Sequence, residues 1–201
     1  MSVQFCLALL ALSSLTAASD QECDELIKPL QDRSRISGKW IFFAGTADHN
    51  EVLEELKMIT SSWIEFSPEP DSEDVVLHYG DKMNGECHHG KANFTFTGNT
   101  TKVTFYPNGS TREHLGKHLV TCPDCVMWTD DSVSEGQNKE TRRARNLYLF
   151  TKSGKLDAAQ LEVLKKQAAC LNLLSEFHFG KATDLCPDNK AEEEPSSAQT
   201  N

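Results

Sequence analysis

No apolar run in this chain is long enough to cross a bilayer. The nearest is Phe5-Cys6-Leu7-Ala8-Leu9-Leu10-Ala11-Leu12, which small residues follow at Ala17-Ala18-Ser19. That order of segments suits a secretory signal over residues 1–19, although its leading segment has no Lys or Arg. The rest is expected to be secreted, extracellular in plasma or mucus, without stable membrane insertion. Basic residues are scarce too. Twenty Lys and Arg against thirty Asp and Glu leave a formal charge of -10, which argues against a nucleic-acid partner. There is no nucleophile elbow, no Gly-rich phosphate loop and no carboxylate pair on a defined cleft. An enzyme, a cofactor and a resident metal are therefore not expected, and no internal repeat occurs.

Seven cysteines are present, and six lie beyond the leader: Cys23, Cys87, Cys122, Cys125, Cys170 and Cys186. An even number in a secreted chain suggests disulfides, with many possible connectivities. Three glycosylation sequons begin at Asn93, Asn99 and Asn108. A glycan needs water, so this stretch should have an exposed side.

Between the leader and residue 151 the sequence breaks into short β-like runs separated by turn residues. A run opens at Trp40. Others are Ser61–Phe66, Asp74–Tyr79, Ala92–Thr97, Lys102–Tyr106, His118–Thr121, Cys125–Thr129 and Arg145–Thr151. About eight strands at short regular spacing are the signature of an antiparallel barrel or sandwich. One helical or irregular excursion interrupts them near Asp48–Thr60, where Val52, Leu53, Leu56 and Ile59 keep helical spacing. A strong helix follows from Asp157, a good N-cap, with Leu161, Leu164, Ala168, Leu171 and Leu174 on one face. Residues 187–201 are acidic, Ser-rich and free of aromatics, so a disordered tail is expected there after a domain spanning 20–186.

Cys122-Pro123-Asp124-Cys125 has three readings. It fits a disulfide across a β-turn, with Pro and Asp at the central positions. It has the spacing of a redox pair, although a helix should then follow it. Together with His114 and His118 it could also hold zinc, if the thiols were reduced. His88 and His89 beside Cys87 add further imidazoles.

The most selective motif is Ile36-Ser37-Gly38-Lys39-Trp40. Glycine supplies a tight turn and tryptophan then plugs one end of whatever the strand closes. With the early Cys23, the eight strands, the late helix carrying Cys170 and the final Cys186, the chain resembles a lipocalin. It is most similar to the α1-acid glycoprotein (orosomucoid) branch, including its fish plasma members that bind tributyltin and guanidinium toxins. The resemblance covers about Cys23 to Cys186. It implies an eight-stranded antiparallel up-and-down barrel with one C-terminal helix packed outside, and a monomer. It implies bridges Cys23–Cys170 and Cys87–Cys186. It implies a secreted glycoprotein carrier of small hydrophobic, amphipathic or cationic ligands in a barrel calyx. Two family marks are altered. Thr129-Asp130-Asp131 only partly echoes the usual Thr-Asp-Tyr motif, and Lys152 falls nearest to the arginine that crosses the tryptophan.

Matching from Trp40, Cys87 and Cys170 suggests that Phe42, Ile64, Phe66, Leu77, Tyr79, Phe94, Met127, Tyr148 and Phe150 face the ligand. Tyr79 stands where the branch has a carboxylate, and Lys102 or Thr104 where it has a basic residue. Glu65 faces outward in this register. Two alternatives to the carrier remain open: a metal- or redox-handling secreted protein using Cys122 and Cys125, and an acute-phase immunomodulatory glycoprotein.

Overall fold

The computed structural model describes residues 20–68, 74–105, 111–135 and 141–188. The leader, the Asn108 sequon and the tail beyond Asp188 lie outside them.

Eight strands run in chain order: β1 (Gly38–Ala47), β2 (Ile59–Pro68), β3 (Val75–Met83), β4 (Glu86–Thr97), β5 (Thr100–Phe105), β6 (Thr111–Leu119), β7 (Cys125–Glu135) and β8 (Thr141–Thr151). Each pairs antiparallel with the next, and β1 pairs with both β2 and β8, so the sheet closes into an up-and-down barrel. Closure leaves no barrel edge unpaired, and it needs the strands to stay long enough to meet. Strands β4, β6, β7 and β8 extend well beyond their apolar runs. Their extra residues are polar, such as Arg112, His114, Ser132 and Arg142, and therefore carry no hydrophobic alternation.

Strand β1 divides its pairing. Gly38–Ile41 lies beside Phe66–Trp63 of β2, while Ala44 and Gly45 lie beside the two-residue strand β9 (His178–Phe179). A bulge at Phe43 separates the halves on the β8 side. Gly38 enters β1 at φ 88, a conformation that a side chain would strain.

Three α-helices occur among the described residues: α1 (Asp20–Leu26), α2 (Asn50–Lys57) and α3 (Ala158–Cys170). The Asp157 carboxylate caps α3 by accepting from Gln160 N at 2.8 Å. Leu164, Ala168 and Leu171 then pack on the outer face of the barrel against Leu119, Met127, Leu147 and Leu149. Buried Gln167 donates to the carbonyls of Leu26 and Val120, fastening α3 to the chain on both sides. Helix α1 carries no strong sequence signal of its own, whereas Leu53, fully buried on α2, belongs to the helical spacing expected near Asp48–Thr60.

Three disulfides are present: Cys23–Cys170, Cys87–Cys186 and Cys122–Cys125. The first joins α1 to α3. The second pins the C-terminal strap to β4. That strap covers the outward-facing Trp63, whose indole donates to Cys186 O at 2.8 Å under the ammonium of Lys39. The third closes the β6–β7 turn. With both thiols joined, and with His114 and His118 inside the barrel, the four residues do not assemble as a zinc set. No metal-holding group of His, Cys, Asp or Glu occurs among the described residues.

Candidate functional site: the barrel interior and its mouth

The floor of the barrel is built from the opening motif. A short 3-10 turn, Arg33–Ile36, is capped by Asp32. The Trp40 indole donates to Ile36 O at 2.7 Å, and both residues are buried. On this layer stands one apolar cluster formed by Ile64, Phe66, Leu77, Ala92, Phe94, Val103, Val126 and Trp128. Tyr79, Phe96, Phe105, Tyr148 and Phe150 pack against it. Phe42 meets Phe150 edge to face at 5.5 Å. The structure thus brings together eight of the nine residues expected to face inward. Glu65 projects to the outer face, between inward Ile64 and Phe66. Lys102 is also outside, ion-paired to Glu113 at 2.7 Å.

Met127 is the correction. It is buried in the outer cluster beneath α3, not in the barrel. The register decides this. Tyr148 lies opposite Trp128 and Phe150 opposite Val126, and directly opposed residues share a face. If Tyr148 and Phe150 point inward, Trp128 and Val126 must too, and Met127 must point out. Sequence alternation could not show it, because both faces of lower β7 are apolar: one fills the barrel and the other receives the helix.

Aromatic rings cross the interior in contact. Phe66 meets Phe94 at 5.4 Å between centroids, Phe94 meets Trp128 at 5.3 Å, and Trp128 stacks on Tyr148 at 5.9 Å. Phe105 bridges Tyr79 and His114. Tyr79 lies across Gly90, where any Cβ would collide with the phenol ring. Burial pushes both tyrosine hydroxyls above the ordinary phenol range, Tyr148 well above it.

Above the rings comes a polar layer that sequence reasoning missed. His114 Nδ1 donates to Asp130 Oδ1 at 3.0 Å, and Asn146 Nδ2 donates to the same oxygen at 2.9 Å and to Ser132 Oγ at 3.1 Å. The Asp130 side chain is wholly buried, and its second oxygen has no hydrogen-bond partner. Asp130 sits mid-strand in β7. Asp81, hydrogen-bonded to Ser62, has its carboxyl raised by burial. His118 lies deeper among Phe66, Phe94 and Phe96, and burial lowers it to about 4.

The mouth is crossed by α2. Glu55 accepts from Arg142 Nη1 of β8 at 2.5 Å and from Arg112 Nη2 of β6 at 3.3 Å, one guanidinium on each carboxylate oxygen. Beneath this contact is a cleft of about 20 Å3, lined by Val52, Glu55, both arginines, His114 and Tyr148 among others. A second cleft near the floor, beside Arg33, Phe96 and His118, holds about 10 Å3. Each is about the size of one water molecule.

No family model and no curated protein matches the sequence. Solved structures do match in fold. The siderocalin Ex-FABP, described as functioning through dual ligand specificities, aligns with TM-score 0.59 at 14% identity over 77% of this chain and 99% of its own. Odorant Binding Protein OBP1 aligns with TM-score 0.62 at 15% identity over 80% and 99%. Aphrodisin, a sex pheromone from female hamster, aligns with TM-score 0.59 at 16% identity over 76% and 99%. With the closed eight-strand barrel and the helix outside it, these likenesses show that the chain has the lipocalin fold.

Proposed function

We propose that the protein carries a small hydrophobic or amphipathic molecule inside the barrel, entering past α2. The observation that supports this most is the layered interior: a floor closed by Trp40, aromatic walls above it, and a few buried polar groups beneath the mouth. Apolar walls with sparse oriented polar atoms are the usual composition of a small-molecule site. The clefts are far below the several hundred Å3 such a site needs, so loading requires α2 and some mouth side chains to move aside.

Burying about 200 Å2 of apolar ligand surface contributes about 5 kcal/mol before ordering costs, which alone corresponds to binding at about 0.2 mM, so micromolar affinity needs polar or charged contacts as well. Secretion and glycosylation fit this reading. Asn93 and Asn99 are exposed on the outer face and at the β4–β5 turn, clear of the mouth. Tributyltin and guanidinium toxins, the cargo implied by the resemblance, belong in the same ligand screen as neutral amphiphiles.

The test is calorimetric titration of the secreted protein and of Tyr148→Ala and Phe150→Ala, alongside native mass spectrometry of the plasma-purified form. The carrier reading expects a bound small molecule and loss of binding in both variants. Unchanged affinity in both variants would remove the interior as the site.

A further inference from the structure

The mouth carries two guanidiniums and one carboxylate between them. Arg112 and Arg142 project from different strands, β6 and β8, and converge on Glu55 of α2. The Nη2 of Arg142 is buried without a hydrogen-bond partner, and its nearest other carboxylate is Glu51 at 4.0 Å on a largely exposed side chain. The two cations thus have more donor capacity than Glu55 uses. The three side chains of the contact are each more than a third exposed, so the pairing itself is weak and replaceable. Helix α2 is short, and His49 at its N-cap supplies no side-chain hydrogen bond to it.

From this we infer that Arg112 and Arg142 form an anion-binding subsite at the mouth, in which Glu55 stands in for the head group of a ligand. The ligand class is an amphipathic anion with a carboxylate or similar oxyanion head and an apolar tail. The head takes the place of Glu55 between the guanidiniums, which suit planar two-oxygen anions. The tail passes Tyr148 into the aromatic interior. No charge is stranded by the exchange, because Glu55 swings into water with α2. Asp130 is engaged by His114 and Asn146, and burial pushes Asp81 toward its neutral form. This inference rests on the carrier reading and narrows it, since two arginines at the entrance favour anionic over cationic cargo.

The experiment compares laurate, 1-dodecanol and dodecyltrimethylammonium as competitors of a neutral fluorescent probe, 1-aminoanthracene. The readout is the ratio of laurate to dodecanol affinity. In the native protein laurate should win by about tenfold, the scale of a charge-assisted pair. Arg112→Met with Arg142→Met should bring that ratio to about one, and Glu55→Gln, which removes the internal competitor, should raise it. An unchanged ratio in the double arginine variant, or a preference for dodecanol or the ammonium amphiphile in the native protein, overturns the subsite. If the double variant does not fold, Glu55→Gln decides alone: a ratio that stays or falls overturns it. Displacement by dodecanol without a laurate preference defeats only this inference. Failure of all three amphiphiles to displace the probe defeats the carrier reading as well.

Discussion

The ammonium of Lys152 lies 3.4 Å from the ring centroid of Trp40 and donates to Lys39 O at 3.1 Å. It sits where the resemblance places an arginine, so the seal on the barrel floor is kept with a different cation. Trp40 is fixed from both sides, by its own bond to Ile36 O and by Lys152 over its face. Losing the cation should cost about 0.5–1 kcal/mol, the range of an exposed cation–π contact. Lys152→Met should therefore lower the urea midpoint slightly and alter Trp fluorescence, while Lys152→Arg should match the native protein. An equal loss in both variants would show that the cation on Trp40 is not what matters.

His118 should make the fold sensitive to mild acid. Burial among three phenylalanines holds it at about 4, below the ordinary histidine value of 6.5, and its Nε2 has no partner. The unfolded chain therefore binds the proton more readily than the folded one. Stability from this group is complete above pH 6.5, falls as pH drops toward 4, and is level below that. The full loss is about 3 kcal/mol at the usual 1.4 kcal/mol per unit. Urea titrations at pH 7 and pH 4.5 should show a smaller difference for His118→Phe than for the native chain. The same pH difference in both proteins would assign the sensitivity elsewhere.

Met127 and Trp128 are neighbours with opposite duties, and this leads to a paired prediction. Met127→Ala opens a cavity under α3 and should destabilise by about 2–4 kcal/mol without changing which ligands bind. Trp128→Phe removes the bond from its Nε1 to Thr101 Oγ1 and shrinks the ring stacked on Tyr148, both inside the barrel. It should change ligand affinity and quench the response of intrinsic fluorescence to ligand. If Met127→Ala alters ligand preference instead, Met127 faces the barrel interior and the register of β7 against β8 is off by one residue.

What the sequence disclosed follows from what leaves a pattern. The barrel was legible because turn residues punctuate the short apolar runs, and α3 because Asp157, Leu161, Leu164 and Ala168 repeat at helical spacing. The facing of Tyr148 and Phe150 came from matching to a family; the facing of Met127 failed because β7 is apolar on both sides. The polar layer and the mouth were not legible. His114, Asp130 and Asn146 look like surface residues when read along the chain, and only closure of the barrel brings β6, β7 and β8 together around them. Glu55 is still harder to find, since its partners lie 57 and 87 residues away and nothing local marks it.

The three disulfides should contribute unequally, and loop length says how. Cys23–Cys170 and Cys87–Cys186 span 147 and 99 residues, whereas Cys122–Cys125 spans three. In the chain-entropy view, closing a loop of about 100 residues stabilises by about 5 kcal/mol, and the tight turn by about 2 kcal/mol. Replacing Cys122 and Cys125 by Ala should therefore lower the urea midpoint least. Loss of Cys87 and Cys186 should go further than entropy alone, because the strap they hold covers Trp63 and supplies Asp188 to Lys39 and Pro187 O to His89. Trp63 would then meet water, visible as a red-shifted emission that the Cys122/Cys125 replacement does not produce. If the turn bridge proves the most costly to remove, the closure of β6 onto β7 depends on it beyond chain entropy, and the loop-length ordering fails.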